Sequence, residues 1–230
     1  MLGKDMQKVF ADMDFVALGQ SDLDITDQEK VFETFMSMQP DVVINCTGYT
    51  NVDEAEKDFE MAEEVNGYAV GVLARACREI DATFVNFSTY YVFRGDKKNG
   101  YSEEDGTNPV NAYGRSKMLG EQLIFDEMES ISQENPKEGK YFIIRTSWLF
   151  GKHGKNFVDT MLEMGQMKDT LQVVDDQHGK PTYTIDLCEQ VKWLISSHEY
   201  PSGIYHVTNE GPTTWFAFAK KIFQLSNMKT

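Results

Sequence analysis

The chain has 230 residues and a mass of 26.3 kDa, the size of one domain with a modest appendage. Hydrophobic residues make up 41% and aromatic residues 12%, enough to bury a core, which excludes a disordered tail. Lys and Arg number 22 against 37 Asp and Glu, so the net charge is −15, and such an acidic surface repels nucleic acid and anionic lipid.

Short runs of β-branched and aromatic residues alternate with longer helical patterns, which indicates a parallel sheet with crossover helices. The runs predict strands at 14–18, 41–45, 83–88, 141–146, 171–174 and 203–207. The helical patterns predict helices at 26–38, 52–80, 111–128, 156–167, 185–196 and 214–225. Thr26 is the predicted N-cap of the first helix, and the second is expected to bend near Asn66 and Gly67. The order predicts a Rossmann-like, doubly wound α/β domain over residues 1–150 and a smaller mixed lobe over residues 151–230.

The cysteine and histidine content narrows the kinds of site and compartment. Cys46, Cys77 and Cys188 form no Cys-x-x-Cys pair, so we expect neither a disulfide framework nor a zinc knuckle, and the reducing cytoplasm is the simplest location. The four histidines show no metal-ligand spacing, so no metal is expected. Apolar runs stay well short of the roughly 18 residues of a membrane span. We therefore expect no membrane partner and no nucleic-acid partner.

Candidate catalytic residues follow the strand predicted at 83–88. Ser88 and Thr89 stand at its carboxyl end, where such sheets bind their ligands. Tyr113 and Lys117 are four residues apart on the next helix and share one face of it. A nearby ammonium lowers the pKa of a phenol from its usual value of about 10, and a hydroxyl from Ser88 or Thr89 can hold a carbonyl oxygen beside that phenol. The arrangement favours protonation of a ketone oxygen while hydride reaches the carbon, whereas the structural alternative is a surface pair on an amphipathic helix.

Several longer motifs occur around these residues in a fixed order. They are DVVINCTGYTNVDEAE (41–56), STYYVFRG (88–95), NAYGRSKMLGE (111–121), RTSWLFG (145–151), DDQHGKPT (175–182) and GIYHVTNEG (203–211). With these motifs the chain resembles the extended short-chain dehydrogenase/reductases and, within them, the dTDP-4-dehydrorhamnose reductase family. The resemblance covers essentially the whole chain.

The resemblance implies an NADPH- or NADH-dependent enzyme of nucleotide-sugar metabolism. Its substrate would be dTDP-4-dehydro-L-rhamnose and its product dTDP-L-rhamnose, and a homodimer is compatible with the family. Thr89, Tyr113 and Lys117 would be the catalytic residues, with Tyr113 protonating the 4-keto oxygen and Lys117 tuning the phenol and holding the nicotinamide ribose. The sequence does not decide between NAD and NADP.

The resemblance also implies binding residues. Besides Tyr113 and Lys117, those for the cofactor would be Gly3, Asp24, Ile25, Cys46, Thr47, Gly48, Tyr49 and Ser88. Those for the nucleotide-sugar would be Thr89, Trp148, Asn156 and Gln177. The structural alternatives for the last three are a core aromatic, a helix N-cap and a loop amide.

The chain departs from the family pattern at both ends. The family begins with a strand and a glycine-rich turn that cradles pyrophosphate, of which Gly3 alone is present, and it continues beyond Thr230 with a further segment of the sugar pocket. We expect Met1 to be an internal methionine and the chain as written to be poorly active. Two alternatives stay open: a non-catalytic, reductase-like regulatory or scaffold subunit, and a related nucleotide-sugar epimerase or reductase.

Overall fold

A computed structural model describes residues 1–129, 139–197 and 199–227. The strands are β1 Val42–Asn45, β2 Thr83–Thr89, β3 Tyr141–Thr146, β4 Leu149–Phe150, β5 His178–Gly179, β6 Thr182–Tyr183, β7 Gly203–His206 and β8 Thr213–Thr214. The helices are α1 Leu2–Val9, α2 Gln28–Met38, α3 Phe59–Glu63, α4 Ala69–Glu79, α5 Ala112–Met128, α6 Phe157–Met167, α7 Thr184–Ser197 and α8 Trp215–Leu225. Short 3₁₀ turns occupy Glu54–Glu56 and Tyr90–Val92, and a π-helical turn occupies Glu64–Tyr68.

The chain folds as two compact units. The sheet unit comprises Val16–Arg145 and Glu199–His206, and the helical unit comprises Met1–Phe15, Thr146–His198 and Val207–Thr230. This division differs from the predicted boundary at residue 150, because the first 15 residues group with the later part of the chain and β7 groups with the earlier part.

The sheet unit is built on four strands in the order β1-β2-β3-β7. β1 pairs with β2 in parallel, with Val42 opposite Thr83, and β3 pairs with β7 in parallel, with Phe142 opposite Gly203. The residues of β2 and β3 are almost all buried, as is typical of strands that are covered on both faces. The predicted Rossmann-like parallel sheet is confirmed.

Helices α2, α4 and α5 supply side chains to one apolar core with the strands. Its fully buried members include Val31 of α2, Ala74 of α4, Phe84 of β2, Ile124 of α5 and Ile143 of β3. The predicted bend near Asn66 and Gly67 is confirmed, because the π-helical turn occupies this position in front of α4.

The helical unit is held by contacts between distant parts of the sequence. The Thr184 hydroxyl, at the start of α7, donates to a carboxylate oxygen of Asp5 in α1. Farther along the same two elements, the Lys192 ammonium donates to the Val9 carbonyl at 2.9 Å. These contacts explain why the first 15 residues group with this unit. Among the described helices, none combines the length and the apolar character needed to cross a membrane.

Three local predictions are wrong. Residues 14–18 form no strand: Phe15, Val16 and Leu18 are largely exposed, and no ladder joins this segment to another strand in the described part of the chain. Apolar alternation creates a strand only where a neighbour supplies hydrogen bonds to the backbone.

Residues 171–174 also form no strand, because Leu171 and Val173 pack on the apolar cluster of α6 and α8 while the Val174 carbonyl accepts from the Phe216 amide at 3.0 Å. The third correction is the N-cap of α2. It is Asp27, whose carboxylate accepts from the Lys30 amide at 3.1 Å, and not Thr26.

Candidate active site

The start of α5 fixes the position of Tyr113. Asn111 caps the helix, and its side-chain oxygen accepts from the Gly114 amide at 2.7 Å. Gly114 lies directly against the preceding turn, so that a methyl group added there would come within 2.2 Å of the Tyr91 carbonyl oxygen. The absence of a side chain at position 114 therefore lets the first turn of α5 sit against the end of β2.

Tyr113 and Thr89 are brought together by this packing. The Thr89 hydroxyl, which accepts from the Tyr91 amide at 3.2 Å, donates a hydrogen bond to the Tyr113 phenol oxygen. The ring of Tyr91 meets that of Tyr113 edge to face, with 5.8 Å between the ring centroids. Of the two hydroxyls that the sequence offers as partners of Tyr113, the structure selects Thr89.

The electrostatic surroundings of Tyr113 correct one expectation. Burial raises the pKa of Tyr113 to about 12, and the hydrogen bond from Thr89 only partly offsets this effect. The sequence predicted a pKa lowered by Lys117, but that ammonium donates elsewhere. The phenol is therefore neutral at physiological pH and holds the proton that an acid must supply.

Lys117 lies one turn farther along α5 and is buried, with 5% of its surface exposed. Its ammonium nitrogen donates to the Phe87 carbonyl oxygen at 3.1 Å. Burial lowers the pKa of Lys117 to about 8, although the negative charge of Glu121 opposes this shift. The structural alternative of an exposed surface pair is thus excluded for Lys117.

The loop that follows β1 passes close to this ammonium. A methyl group added at Gly48 would lie 3.1 Å from the Lys117 nitrogen and 3.1 Å from the Asn66 side-chain oxygen. Asn66, which is fully buried, holds both backbone groups of Tyr49: its oxygen accepts from the amide at 3.0 Å and its nitrogen donates to the carbonyl at 2.9 Å. A loop with bare backbone beside a buried cation fits the ribose and phosphate groups of a nucleotide cofactor.

Asn66 also joins this loop to α5, since its side-chain nitrogen donates to the Ser116 hydroxyl at 3.0 Å. Asn66 is a predicted bend position but is not among the site residues predicted from the sequence. The signal that could have suggested a role for Asn66 is its position in the bend, because π-helical turns are frequent at functional sites.

Cys46 and Thr47 complete the loop. Thr47 donates to the Asn45 side-chain oxygen from its amide at 3.1 Å and from its hydroxyl at 2.6 Å. The Asn45 amide nitrogen in turn donates to Asn86 of β2 at 2.8 Å. Burial raises the pKa of the Cys46 thiol to about 12, so the thiol is neutral and serves as a small apolar group.

Asp24 and Ile25 lie in the connection before α2. Asp24 is exposed, and its carboxylate accepts from the Thr26 amide at 3.0 Å and from the Thr26 hydroxyl at 2.8 Å. Ile25 is half-buried and packs on the apolar core of the sheet unit. An assignment of both residues to cofactor binding stays a prediction.

Ser88 contributes to the site through another residue. Its side chain is buried and its hydroxyl donates to a carboxylate oxygen of Glu121, which also accepts from Arg145. Neither Glu121 nor Arg145 is among the site residues predicted from the sequence. The signals were present in the sequence: Glu121 continues the four-residue spacing of Tyr113 and Lys117, and Arg145 is a charged residue within an otherwise apolar strand.

The remaining predicted binding residues lie in the helical unit. Gly3 lies in the first turn of α1 and Gln177 is exposed just before β5. Trp148 is buried and stacks on Trp215 with 3.6 Å between the ring centroids. Asn156 is the N-cap of α6, and its side-chain oxygen accepts from the amides of Val158 and Asp159. Its contacts in this structure are therefore those of a helix N-cap, the structural alternative.

Comparison with known proteins supports the same family. The model of the RmlD substrate binding domain family matches residues 1–230. A dTDP-4-dehydrorhamnose reductase of Streptomyces griseus is 42% identical over 212 residues, which cover 91% of this chain and 67% of the relative. A dTDP-4-keto-6-deoxy-D-glucose reductase of Streptomyces niveus is 38% identical over 227 residues, which cover 98% of this chain and 75% of the relative.

The fold agrees equally well with a solved structure. The crystal structure of a dTDP-4-dehydrorhamnose reductase from Bacillus anthracis in complex with NADP superposes with a TM-score of 0.91 at 40% sequence identity. The match covers 100% of this chain and 79% of that chain. The predicted resemblance is therefore confirmed, and the chain belongs to the RmlD substrate binding domain family, the family of the dTDP-4-dehydrorhamnose reductases.

Proposed function

We propose that the protein is an oxidoreductase that reduces the 4-keto group of dTDP-4-dehydro-L-rhamnose with NADPH or NADH and forms dTDP-L-rhamnose. Family membership supports this substrate and cofactor class. The observation that carries the proposal within this chain is the hydrogen bond between Thr89 and Tyr113, one helical turn from the buried amine of Lys117.

The residues around Lys117 fit a nicotinamide cofactor. Gly48 leaves its backbone bare beside the Lys117 ammonium, and the Asn66 side chain holds the adjoining backbone of Tyr49. Lys117 and Gly48 would bind the ribose, and Cys46, Thr47 and Tyr49 would line the same loop. When bound, the cofactor supplies the hydride for the keto carbon.

The phenol of Tyr113 would supply the proton. Reduction of a ketone places a hydride on carbon and a proton on oxygen, so the site needs a neutral acid beside that oxygen. Burial keeps the Tyr113 phenol neutral. The single hydroxyl proton of Thr89, which is donated to the phenol in this structure, would turn to the keto oxygen when the substrate binds. Solvent would then restore the proton to the phenolate that remains.

Nucleotide-sugar binding by Thr89, Trp148, Asn156 and Gln177 stays a prediction. Trp148 offers a large aromatic ring, while Asn156 already serves as a helix cap. Three further points stay predictions: that one unit binds the cofactor and the other the substrate, that the protein forms a homodimer, and that it is located in the cytoplasm.

The two alternative functions differ from the proposed one in what happens to the hydride of the cofactor. A nucleotide-sugar epimerase returns the hydride to the sugar and consumes no cofactor over a complete turnover, and a scaffold subunit transfers none. Incubation of the protein with dTDP-4-dehydrorhamnose and NADPH that carries deuterium at the transferable position separates the three. We expect dTDP-rhamnose with one deuterium at the sugar C4 and one cofactor oxidised for each product formed. Product without deuterium, or no cofactor oxidation, would contradict the proposal.

A further inference from the structure

Glu121 extends the catalytic face of α5. It lies four residues after Lys117 and eight after Tyr113, so the three side chains follow one another along one side of the helix. Glu121 is buried, with 2% of its surface exposed. A buried carboxylate at this position needs a reason, since burial of a charge is costly unless hydrogen bonds and an opposite charge compensate for it.

Two strands supply that compensation. The Ser88 hydroxyl of β2 donates to one carboxylate oxygen. Arg145 of β3 donates to the same oxygen from Nε at 2.9 Å and to the other oxygen from Nη2 at 2.6 Å, in the two-pronged geometry that orients both groups. Glu121 therefore connects α5 to the ends of both strands.

The contact with Ser88 completes a regular pattern along β2. The carbonyl of residue 87 accepts from Lys117, the side chain of residue 88 donates to Glu121, and the side chain of residue 89 donates to Tyr113. Three consecutive residues of the strand thus contact the three residues of the helix face. A change at Glu121 would be transmitted to the other two contacts through the same strand.

Charge gives Glu121 a second effect. Its carboxylate opposes the loss of the proton from Lys117 that burial promotes, and it forms an ion pair with Arg145 at 2.6 Å. Behind Arg145 lie His206 and Glu103, whose carboxylate accepts from the His206 amide at 2.9 Å. The Nη1 atom of Arg145 is buried and has no hydrogen-bond partner among the residues that the structure describes, so Glu121 takes the main interactions of this guanidinium.

We propose that Glu121 is a positioning residue of the active site, which holds α5 against β2 and β3 through Ser88 and Arg145. The inference rests on the proposed function for its catalytic consequence. Its effect on Lys117 does not, because that effect belongs to the chain without any ligand.

Glu121→Gln is the direct test, because it removes the charge and keeps the size. The variant leaves the Arg145 guanidinium without its counter-charge and is expected to be less stable. The double variant Glu121→Gln with Arg145→Met removes both charges and serves where the single variant does not fold. Asp126→Asn is the matched control, because it removes one negative charge from an exposed position of the same helix.

The primary readout is an NMR titration of Lys117 in protein with ¹³C-labelled lysine, with the signal assigned by Lys117→Arg. We expect the midpoint of Lys117 to fall by about one pH unit in Glu121→Gln and to stay at the wild-type value in Asp126→Asn. The fall should be smaller in the double variant, because the positive charge of Arg145 is removed as well. The basic limb of the kcat profile for reduction should move to lower pH by a similar amount.

The outcomes separate the two proposals. A Lys117 midpoint that is unchanged in folded Glu121→Gln, or one that does not move at all in the double variant where the single variant fails to fold, would overturn the inference even if turnover were low. A shifted midpoint in a wild-type protein that oxidises no NADPH would support the role of Glu121 toward Lys117 and would refute the proposed reaction.

Discussion

The hydroxyl of Thr89 donates a hydrogen bond to the phenol oxygen of Tyr113, and it does so from the last residue of β2 to the first turn of α5. The two residues are 24 positions apart in the sequence. The end of one strand and the start of one helix therefore define where a keto oxygen would receive both a hydrogen bond and a proton.

Removal of the Thr89 hydroxyl should weaken catalysis more than binding. In Thr89→Val the shape is retained, but the keto oxygen loses one donor in the transition state, so we expect kcat to fall by roughly 10²-fold with an unchanged dissociation constant for NADPH. Steady-state kinetics and a fluorescence titration measure the two quantities. Thr89→Ser should keep most of the activity, and a Val variant with wild-type kcat would show that Thr89 has no part in the reaction.

Burial of Lys117 should appear in the pH dependence of stability. Its pKa is about 8 in the folded protein and 10.5 in the unfolded chain, so the unfolded state binds more protons between these values. Stability therefore rises with pH in this window, and the cost of burying the charge is fully present below about pH 8. The free energy of unfolding of the wild type, relative to Lys117→Met, should rise by roughly 3 kcal/mol from neutral pH to the upper end of the window.

Urea unfolding of both proteins across this range is the measurement. Groups that the two proteins share, such as Tyr113 and Cys46 with their raised pKa values, cancel in the difference. A difference that stays constant with pH would mean that Lys117 is solvated in the folded protein.

A side chain at position 114 should disturb the site through packing alone. The methyl group of Gly114→Ala would meet the Tyr91 carbonyl at 2.2 Å, which forces α5 away from β2. We expect a loss of roughly 1–3 kcal/mol of stability together with a lower kcat. Gly106→Ala is the control, because a methyl group there meets no atom within 4 Å. Equal stability and activity of the two variants would contradict the close approach.

Loss of the Asn66 side chain should weaken cofactor binding. Asn66→Ala leaves the amide and carbonyl of Tyr49 without their buried partner and releases the loop that carries Gly48. We expect the dissociation constant for NADPH to rise by about tenfold, as is typical of the loss of one side chain that makes buried hydrogen bonds. Calorimetric titration measures the constant, and Asn99→Ala, at an exposed loop position, should bind as the wild type does. Wild-type affinity of Asn66→Ala would show that the loop needs no such support.

The helices and central strands could be predicted from the sequence because their patterns are local. The bounds 141–146 of β3 follow from a run of aromatic and β-branched residues, and the N-cap of α6 follows from Asn156. The segments 14–18 and 171–174 carry similar patterns but form no strand. Whether a strand forms depends on a neighbour at its backbone, which the segment itself does not encode.

The same limit applies to the site. The four-residue spacing of Tyr113 and Lys117 predicted that they share a face, but the pKa of Tyr113 depends on how deeply the phenol is buried, and its direction was wrong in the sequence analysis. The contacts of Glu121 with Ser88 and Arg145 bridge three elements that only the fold brings together.

The most direct test of the central claim is turnover of Tyr113→Phe against Tyr68→Phe. Phe at position 113 keeps the ring and removes the proton donor, whereas Tyr68 is 53% exposed and serves as the control. We expect Tyr113→Phe to bind NADPH as the wild type does and to reduce dTDP-4-dehydrorhamnose at least 10²-fold more slowly, as roughly follows from the loss of a general acid. Reduction by Tyr113→Phe at the rate of Tyr68→Phe would contradict the account.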